Sequence, residues 1–214
     1  MFDLTQRVAL VTGAGQGVGA GIARQLARQG AAVAVNDLHA ERAQATVRAI
    51  EADGGRACGV VFDVGDYEAV VAGVAEAARL LGPVGILVNN AGIPAGMGLR
   101  PFRETQPADW RPYIDVNLYG VMNCCRAVID GMCERGFGRI VTISSGAGTM
   151  GLAIGVSPYA AGKGGGIAFM RHLALETAAR GVTANTLALG LVEAPGDPAR
   201  MESLARSLPV RRLG

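Results

Sequence analysis

Val8-Ala9-Leu10-Val11-Thr12-Gly13-Ala14-Gly15-Gln16-Gly17-Val18-Gly19-Ala20-Gly21-Ile22 decides the fold. Four apolar residues read as a buried strand, the glycines as a tight turn, and Gly19 to Gln29 as the helix that follows. Glycines let a backbone turn sharply and approach a pyrophosphate, whose charge the free N–H groups and positive end of the next helix would receive. A merely tight turn is the alternative, but it would need about one glycine and not this strand-loop-helix setting. Asp37 ends the next apolar run, 18 positions after Gly19. There a carboxylate can accept hydrogen bonds from adenosine ribose hydroxyls and repel a 2′-phosphate, or it can cap the helix that follows. No Arg or Lys occupies Gln16, Asn36 or Leu38, so NAD is favoured over NADP.

Outward from this stretch, apolar runs at Val8 to Val11, Ala32 to Val35, Gly59 to Phe62, Ile86 to Val88, Ile140 to Ile143 and Val182 to Leu187 read as strands. Helical patterns lie between them, at Gly19 to Gln29, Ala40 to Ala52, Tyr67 to Leu81, Ala108 to Arg135 and Pro158 to Ala179. This alternation predicts an α/β fold in which a doubly wound parallel sheet is covered on both faces and binds its ligands beyond the carboxyl ends of the strands. No repeat, linker or low-complexity tract interrupts residues 1–214, so one domain is expected.

Composition removes several classes of function. Half of the residues are hydrophobic, enough for a core without disulfides or metals. Lys plus Arg total 20 against 18 for Asp plus Glu, scattered singly apart from Arg211-Arg212, which leaves no nucleic-acid footprint. Cys58, Cys124, Cys125 and Cys133 form no C-x-x-C pair, and His39 and His172 have no metal spacing, so reduced thiols and no metal are expected. His39 reads as a solvated loop residue and His172 as part of a helix. The start of the chain carries no apolar signal segment, and no apolar stretch is long enough to span a membrane. Together these point to a soluble cytoplasmic protein.

Ser157-Pro158-Tyr159-Ala160-Ala161-Gly162-Lys163 places a phenol and an ammonium four residues apart, on one face of a helix that Ser157 can cap and Pro158 can open. A neighbouring cation favours the phenolate and draws a tyrosine toward the working range of a proton donor. An isolated pair of this kind can equally be ordinary surface residues. Gly164-Gly165-Gly166 follows, and three glycines inside a helix cost roughly 1 kcal/mol each relative to alanine. Close packing against a neighbouring helix or a second subunit is the expected compensation. Arg42, one turn past Asp37, is expected to pair at the surface with Glu41 or Asp37.

With these features the chain resembles the short-chain dehydrogenase/reductase family from about Val8 to Gly214. The family's T-G-x-x-x-G-x-G is matched by Thr12, Gly13, Gly17 and Gly19, its adenine-side acid-hydrophobic pair by Asp63-Val64, and its N-N-A-G by Asn89-Asn90-Ala91-Gly92. Its helix asparagine is matched by Asn117, its serine by Ser145 of the Ile143-Ser144-Ser145 run, and its Tyr and Lys by Tyr159 and Lys163. Each has a structural alternative: Asp63 as a helix cap, Asn89 and Asn90 as turn residues, Ser144 and Ser145 as a strand end.

The resemblance implies a Rossmann-like fold and a nicotinamide oxidoreductase. In it Tyr159 is general acid in reduction and general base in oxidation, Lys163 lowers the tyrosine pKa and holds the nicotinamide ribose, Ser145 donates to the substrate oxygen, and Asn117 holds a water. Cofactor contacts are implied for Gly13, Gly15, Gln16, Gly17, Val18, Gly19, Asp37, Leu38, Asp63, Val64, Asn90, Ala91, Gly92, Tyr159, Lys163, Gly190 and Val192, and Ser144 could also touch the cofactor. A homodimer or homotetramer through the helices at 108–135 and 158–179 is implied as well.

Two departures from the family pattern stand out. After the sixth strand Leu189 replaces a proline and Ala194 a threonine, so cofactor grip is expected to be weaker; the final helix, seventh strand and tail are missing, leaving the sixth strand at a sheet edge. The loops at Pro94 to Leu99, Gly146 to Val156 and Ala194 to Leu208 are rich in small and apolar residues, which points to a modest-sized substrate without strong charge. The expected activity is NAD(H)-dependent hydride transfer between nicotinamide and a secondary alcohol or ketone. An NADPH-dependent 3-oxoacyl reductase, or a cofactor-binding scaffold weakened by its shortened end, are the alternatives.

Overall fold

The computed structural model describes residues 3–92, 97–192, 202–203, 205–206 and 208–214. Six parallel strands form one sheet in the order β3-β2-β1-β4-β5-β6. They are β1 (Val8–Val11), β2 (Ala32–Asp37), β3 (Arg56–Val61), β4 (Ile86–Asn89), β5 (Gly138–Ser145) and β6 (Val182–Leu189). The helices that cross between them are α1 (Gly17–Arg28), α2 (Ala40–Ala52), α3 (Tyr67–Leu81), α4 (Pro107–Ile114), α5 (Gly120–Glu134) and α6 (Ser157–Thr177). The strand order reverses between β1 and β4, and there two adjacent carboxyl ends open a crevice.

The central strands are buried on both faces. Val8 and Leu10 join the apolar cluster under α3, α5 and α6, whereas Ala9 and Val11 join the cluster under α1 and α2. This is the two-residue period of a strand with apolar side chains on both faces. Every residue of β1, β2 and β4 is buried, which is why their runs stand out in the sequence. β3 is an edge, and its first four residues are exposed or half-buried. It starts at Arg56, ahead of the expected Gly59, because backbone pairing to β2 and not burial defines it. Phe62, expected to end β3, lies beyond the strand. β6 forms the other edge, as expected.

The long helix expected from Ala108 to Arg135 is three pieces. α4 gives way to a widened π-helical turn at Asp115–Tyr119 before α5 begins. A π-turn inserts one extra residue and swings the side chains after it, and here it turns Asn117 into the interior, 1% exposed. α6 starts one residue earlier than expected. Its cap is Val156, whose carbonyl receives the Ala160 N–H at 2.8 Å, so Ser157 and Pro158 fill the first two helical positions and Ser157 is no cap.

The glycines of α6 face other parts of the same chain. A Cβ on Gly162 would meet the Tyr113 carbonyl oxygen at 2.8 Å and Asn117 Cβ at 2.9 Å, whereas one on Gly165 would touch only the flexible end of Leu118, at 3.3 Å. One on Gly164 would approach the Gly148 carbonyl at 3.4 Å and one on Gly166 the Asn117 carbonyl at 3.2 Å. Close backbone packing within the chain therefore offsets their helix-propensity cost. These contacts separate two substitutions. Gly162→Ala should lose about 1–3 kcal/mol of unfolding free energy in urea, through overpacking against fixed backbone. Gly165→Ala should be neutral or gain up to about 1 kcal/mol, because Leu118 can yield and alanine favours the helix.

Candidate active site

The glycine loop is fastened to the strand ends on both sides. Gly13 and Gly17 take positive φ, +59° and +55°, which ordinary residues adopt at a cost. Gly15 donates its N–H to Asp37 Oδ2 at 3.1 Å, and a Cβ there would lie 2.6 Å from that oxygen. Gly19 has no room for a Cβ because Asn90 Nδ2 and the Gly13 carbonyl occupy its flank. Gln16 precedes α1 in extended conformation without a side-chain cap, so the first-turn N–H groups, with Val18 among their residues, lie at the mouth of the loop. Residues of this kind fit a pyrophosphate.

Asp37 is 7% exposed, and its second oxygen accepts the His39 N–H at 3.1 Å, a turn bond in place of the cap on α2 that was the alternative. Leu38 beside it is 59% exposed. Arg42 does not form the expected surface pair: among the described residues it bonds neither Asp37 nor Glu41, and its Cβ lies 2.6 Å from where a Gly15 Cβ would be. Glu41 faces His39 Nδ1 instead, at 3.9 Å.

At β4, the Thr12 hydroxyl accepts the N–H groups of Asn90 and Ala91 at 3.0 and 3.1 Å, while Asn90 Nδ2 donates to the carbonyls of Thr12 and Gly13, each at 3.0 Å. Four bonds thus tie the two central loops together. Thr12, placed only in a motif by sequence, is a structural hinge of the site. Asp63 accepts the Gly65 N–H at 2.8 Å and leaves the cap of α3 to Asp66, and Val64 is buried against Gly120. Asn89 is buried, donating to Thr142 Oγ1 at 3.2 Å and to Cys125 Sγ at 3.5 Å.

Tyr159, Lys163, Ser145, Asn117 and Gly92 come together beside this cradle. Lys163 is 6% exposed, and its ammonium donates to the Ile143 carbonyl of β5 at 2.7 Å. Burial pulls its pKa down to about 8. A Cβ on Gly92 would lie 2.5 Å from Lys163 Nζ and 3.0 Å from Asn117 Oδ1, so only glycine fits. Asn117 Nδ2 donates to the Tyr113 carbonyl at 2.9 Å, and its buried Oδ1 has no partner among the described residues. Ser145 Oγ accepts the Ala147 N–H at 3.2 Å, and its hydroxyl lies near enough to the Tyr159 phenol to draw the phenol's pKa down. Ser144 turns away, donating to the Lys163 carbonyl at 3.4 Å, so it belongs to the fastening of α6.

The expected lowering of the Tyr159 pKa is not found in the protein alone. Burial pushes the phenol up, and the Ser145 hydroxyl offsets this only in part. The Lys163 ammonium lies 5.8 Å from the centre of the tyrosine ring and donates a hydrogen bond to the Ile143 carbonyl, so its field falls on the ring face and a carbonyl.

A cavity of about 370 Å³ opens on the α4 side of Tyr159, lined among others by Leu99, Arg100, Thr105, Asp109 and Tyr113. Of the loops expected to line the cleft, Pro94–Gly96 and most of 194–208, Ala194 included, lie outside the described residues. Contrary to the expected uncharged lining, this cavity holds the Arg100–Asp109 ion pair at 2.8 Å. No periodicity or motif marks Arg100, Asp109 or Tyr113. Gly190 and Val192 follow β6, where the Leu191 carbonyl accepts the Gly214 N–H at 3.0 Å.

The family model described as short chain dehydrogenase matches residues 7–203. The chain belongs to that family. This short chain dehydrogenase is 42% identical over 194 residues to the (2S)-[(R)-hydroxy(phenyl)methyl]succinyl-CoA dehydrogenase subunit BbsD of Thauera aromatica, covering 91% of this chain and 76% of that one. It is 39% identical over 214 residues to the acetoacetyl-CoA reductase of Allochromatium vinosum, covering 97% and 85%. Among solved structures, a gluconate 5-dehydrogenase from Burkholderia cenocepacia in complex with NADP and tartrate superposes with TM-score 0.89 at 36% identity, over 100% of this chain and 84% of that one. A 3-oxoacyl-[acyl-carrier protein] reductase with bound NAD from Brucella melitensis gives 0.90 at 35%, over 98% and 79%. The dehydrogenase is thus an oxidoreductase of hydroxyl and keto groups with a nicotinamide cofactor. Among the described residues no helix is long and apolar enough to cross a membrane, and no three His, Cys, Asp or Glu side chains converge as a metal site would require.

The buried ammonium makes stability depend on pH. Lys163 carries its charge below pH 8 in both states, and there the folded protein bears the desolvation cost; between about pH 8 and 10.5 only the unfolded chain keeps the proton. Stability should therefore rise with pH across that window. In urea titrations wild type should gain about 2–3 kcal/mol on Lys163→Met between pH 7 and pH 10, and a flat difference would contradict the assigned burial.

Proposed function

We propose that this chain is one catalytic domain that transfers hydride between NAD(H) and a secondary alcohol or ketone, with Tyr159 exchanging the proton. The observation that carries the proposal is the meeting of Ser145, Tyr159 and Lys163 beside the glycine-loop cradle. Gly13, Gly15, Gly17, Gly19 and the uncapped start of α1 would hold the pyrophosphate, and Asp37 the adenosine ribose. Asp63, Val64, Asn90 and Ala91 would line the adenine and ribose side, and Gly92, Gly190 and Val192 the nicotinamide side.

Bound nicotinamide supplies the hydride in reduction and takes it in oxidation. In reduction the carbonyl oxygen receives the Tyr159 proton while Ser145 donates a second hydrogen bond to it. The bond from the Ala147 N–H occupies one Ser145 lone pair, and the hydroxyl proton that faces the phenol in the free protein would turn to the substrate oxygen. A phenol pushed up by burial keeps its proton at neutral pH, as a general acid must. Lys163 would hold the ribose with the donors that Ile143 leaves, and the orphaned Asn117 Oδ1 would accept from a bridging water.

Asp37 favours NAD, whereas the Arg42 stem beside Gly15 favours a second reading with NADP and a 3-oxoacyl substrate, toward which the names of the acetoacetyl-CoA and 3-oxoacyl relatives also lean. We further propose a cytoplasmic homo-oligomer through the helices at 108–135 and 158–179, where Tyr119 and Met122 are exposed.

Tyr159→Phe should lower kcat on a panel of ketones by roughly 10²- to 10⁴-fold while NADH binding stays within a few-fold, both read from NADH absorbance and fluorescence. Equal turnover by the variant would remove Tyr159 from the chemistry. In the same fluorescence titration NADH should bind more tightly than NADPH, and Asp37→Ala should narrow the gap; a preference for NADPH in wild type supports the second reading.

A further inference from the structure

We propose that Arg100 binds a carboxylate of the substrate a few atoms from the carbon served by Tyr159, so that the preferred substrates are short oxo acids and their hydroxy acids. This rests on the proposed role of Tyr159. Arg100 and Tyr159 line the same cavity, whose 370 Å³ suits a small molecule more than a carrier-bound chain.

The arginine is positioned from two directions. Its N–H donates to the Gly155 carbonyl at 2.9 Å, and Gly155 sits at φ +70° so close that a Cβ would meet the Arg100 backbone at 2.7 Å. Among the described residues its side chain makes one bond, from Nη2 to Asp109 Oδ2 at 2.8 Å. A guanidinium carries five N–H donors, so a second edge remains to grip a carboxylate through paired bonds. Asp109 does not cancel this capacity, because Oδ2 also receives the Gln106 N–H at 2.8 Å and the carboxylate lies in the first turn of α4, where the helix dipole favours negative charge. It acts as a bracket for Arg100. The hydroxyl of Thr105 is already engaged, donating to the Phe102 carbonyl and accepting from Trp110 Nε1, each at 2.8 Å. Arg100 is therefore the one cation among the described lining residues, and it shares the cavity with Tyr113 and Tyr159.

The test pairs short 2-, 3- and 4-oxo acids with their methyl esters. Wild type should favour at least one acid over its ester by roughly 10- to 100-fold in kcat/KM, Arg100→Gln should abolish that preference by losing far more on the acid than on the ester, and Arg100→Lys should restore part of it. An unchanged preference in Arg100→Gln, or equal loss on acid and ester, overturns the assignment. A wild type that turns over neutral ketones without any acid preference also overturns it and leaves the role of Tyr159 standing, whereas no turnover of any substrate overturns both. Wild type alone gives a second measure, independent of variant folding: short alkanoates should compete with a neutral ketone and the matching amides should not. Equal inhibition by both overturns the proposal.

Discussion

An ammonium taken out of water has to find oxygen atoms to replace its hydration, and the carboxyl end of the sheet is arranged around that need at Lys163. The carbonyl of Ile143 is its bonded partner, so the register that sets β5 beside β4 also sets the charge beside the crevice. Gly92 leaves out a side chain where Nζ and Asn117 Oδ1 converge. Ser144 fastens the backbone of Lys163, and Gly148 meets α6 where a Cβ would come within 3.0 Å of Lys163 itself. The π-turn serves the same point, because a regular helix through Asp115–Tyr119 would carry Asn117 round to another face. The four bonds between the Thr12 and Asn90 loops then set the phosphate cradle against this charge.

Most of the fold could be read from the residues because its central strands are buried on both faces, which writes an apolar run that no helix of that length would carry. β3 shows the limit: its start is set by pairing to β2 and leaves no hydrophobic trace. The break between α4 and α5 is hidden for a related reason. One extra residue barely disturbs a period of about 3.6, so the amphipathic pattern runs through it, and only the orphaned carbonyl of Asn117 reveals what the turn achieves. In the site, the residue types and their order were legible, but the charge balance was not. The spacing of Tyr159 and Lys163 puts them on one helix face without saying that the ammonium turns to Ile143, or that burial outweighs it at the phenol. Arg100 and Asp109 leave no trace at all, since a loop and a helix start meet only in space.

The two ends of the sheet differ in how their polar groups are satisfied. At the amino end, Arg7 and Arg139 both lie over the Phe137 ring, 3.8 and 4.6 Å from its centre, and Arg135 donates to the Val84 carbonyl at 2.8 Å. Arg24 Nε of α1, whose guanidinium pairs with Asp53 ahead of β3, is nevertheless buried without a partner among the described residues. At the carboxyl end, a lysine is desolvated, a phenol is pushed up, and Asn117 Oδ1 and Asn89 Oδ1 are buried without partners among the described residues. Each buried unsatisfied acceptor costs about 1–3 kcal/mol, and the lysine a comparable amount. Such costs are of a kind that a bound molecule can offset, which is in keeping with the cofactor and substrate site proposed at this end. Residues there also cannot be exchanged one at a time. A side chain at Gly92 would press on the buried ammonium, and removing Ser144 would take a bond from the Lys163 carbonyl, so neither change is confined to its own position.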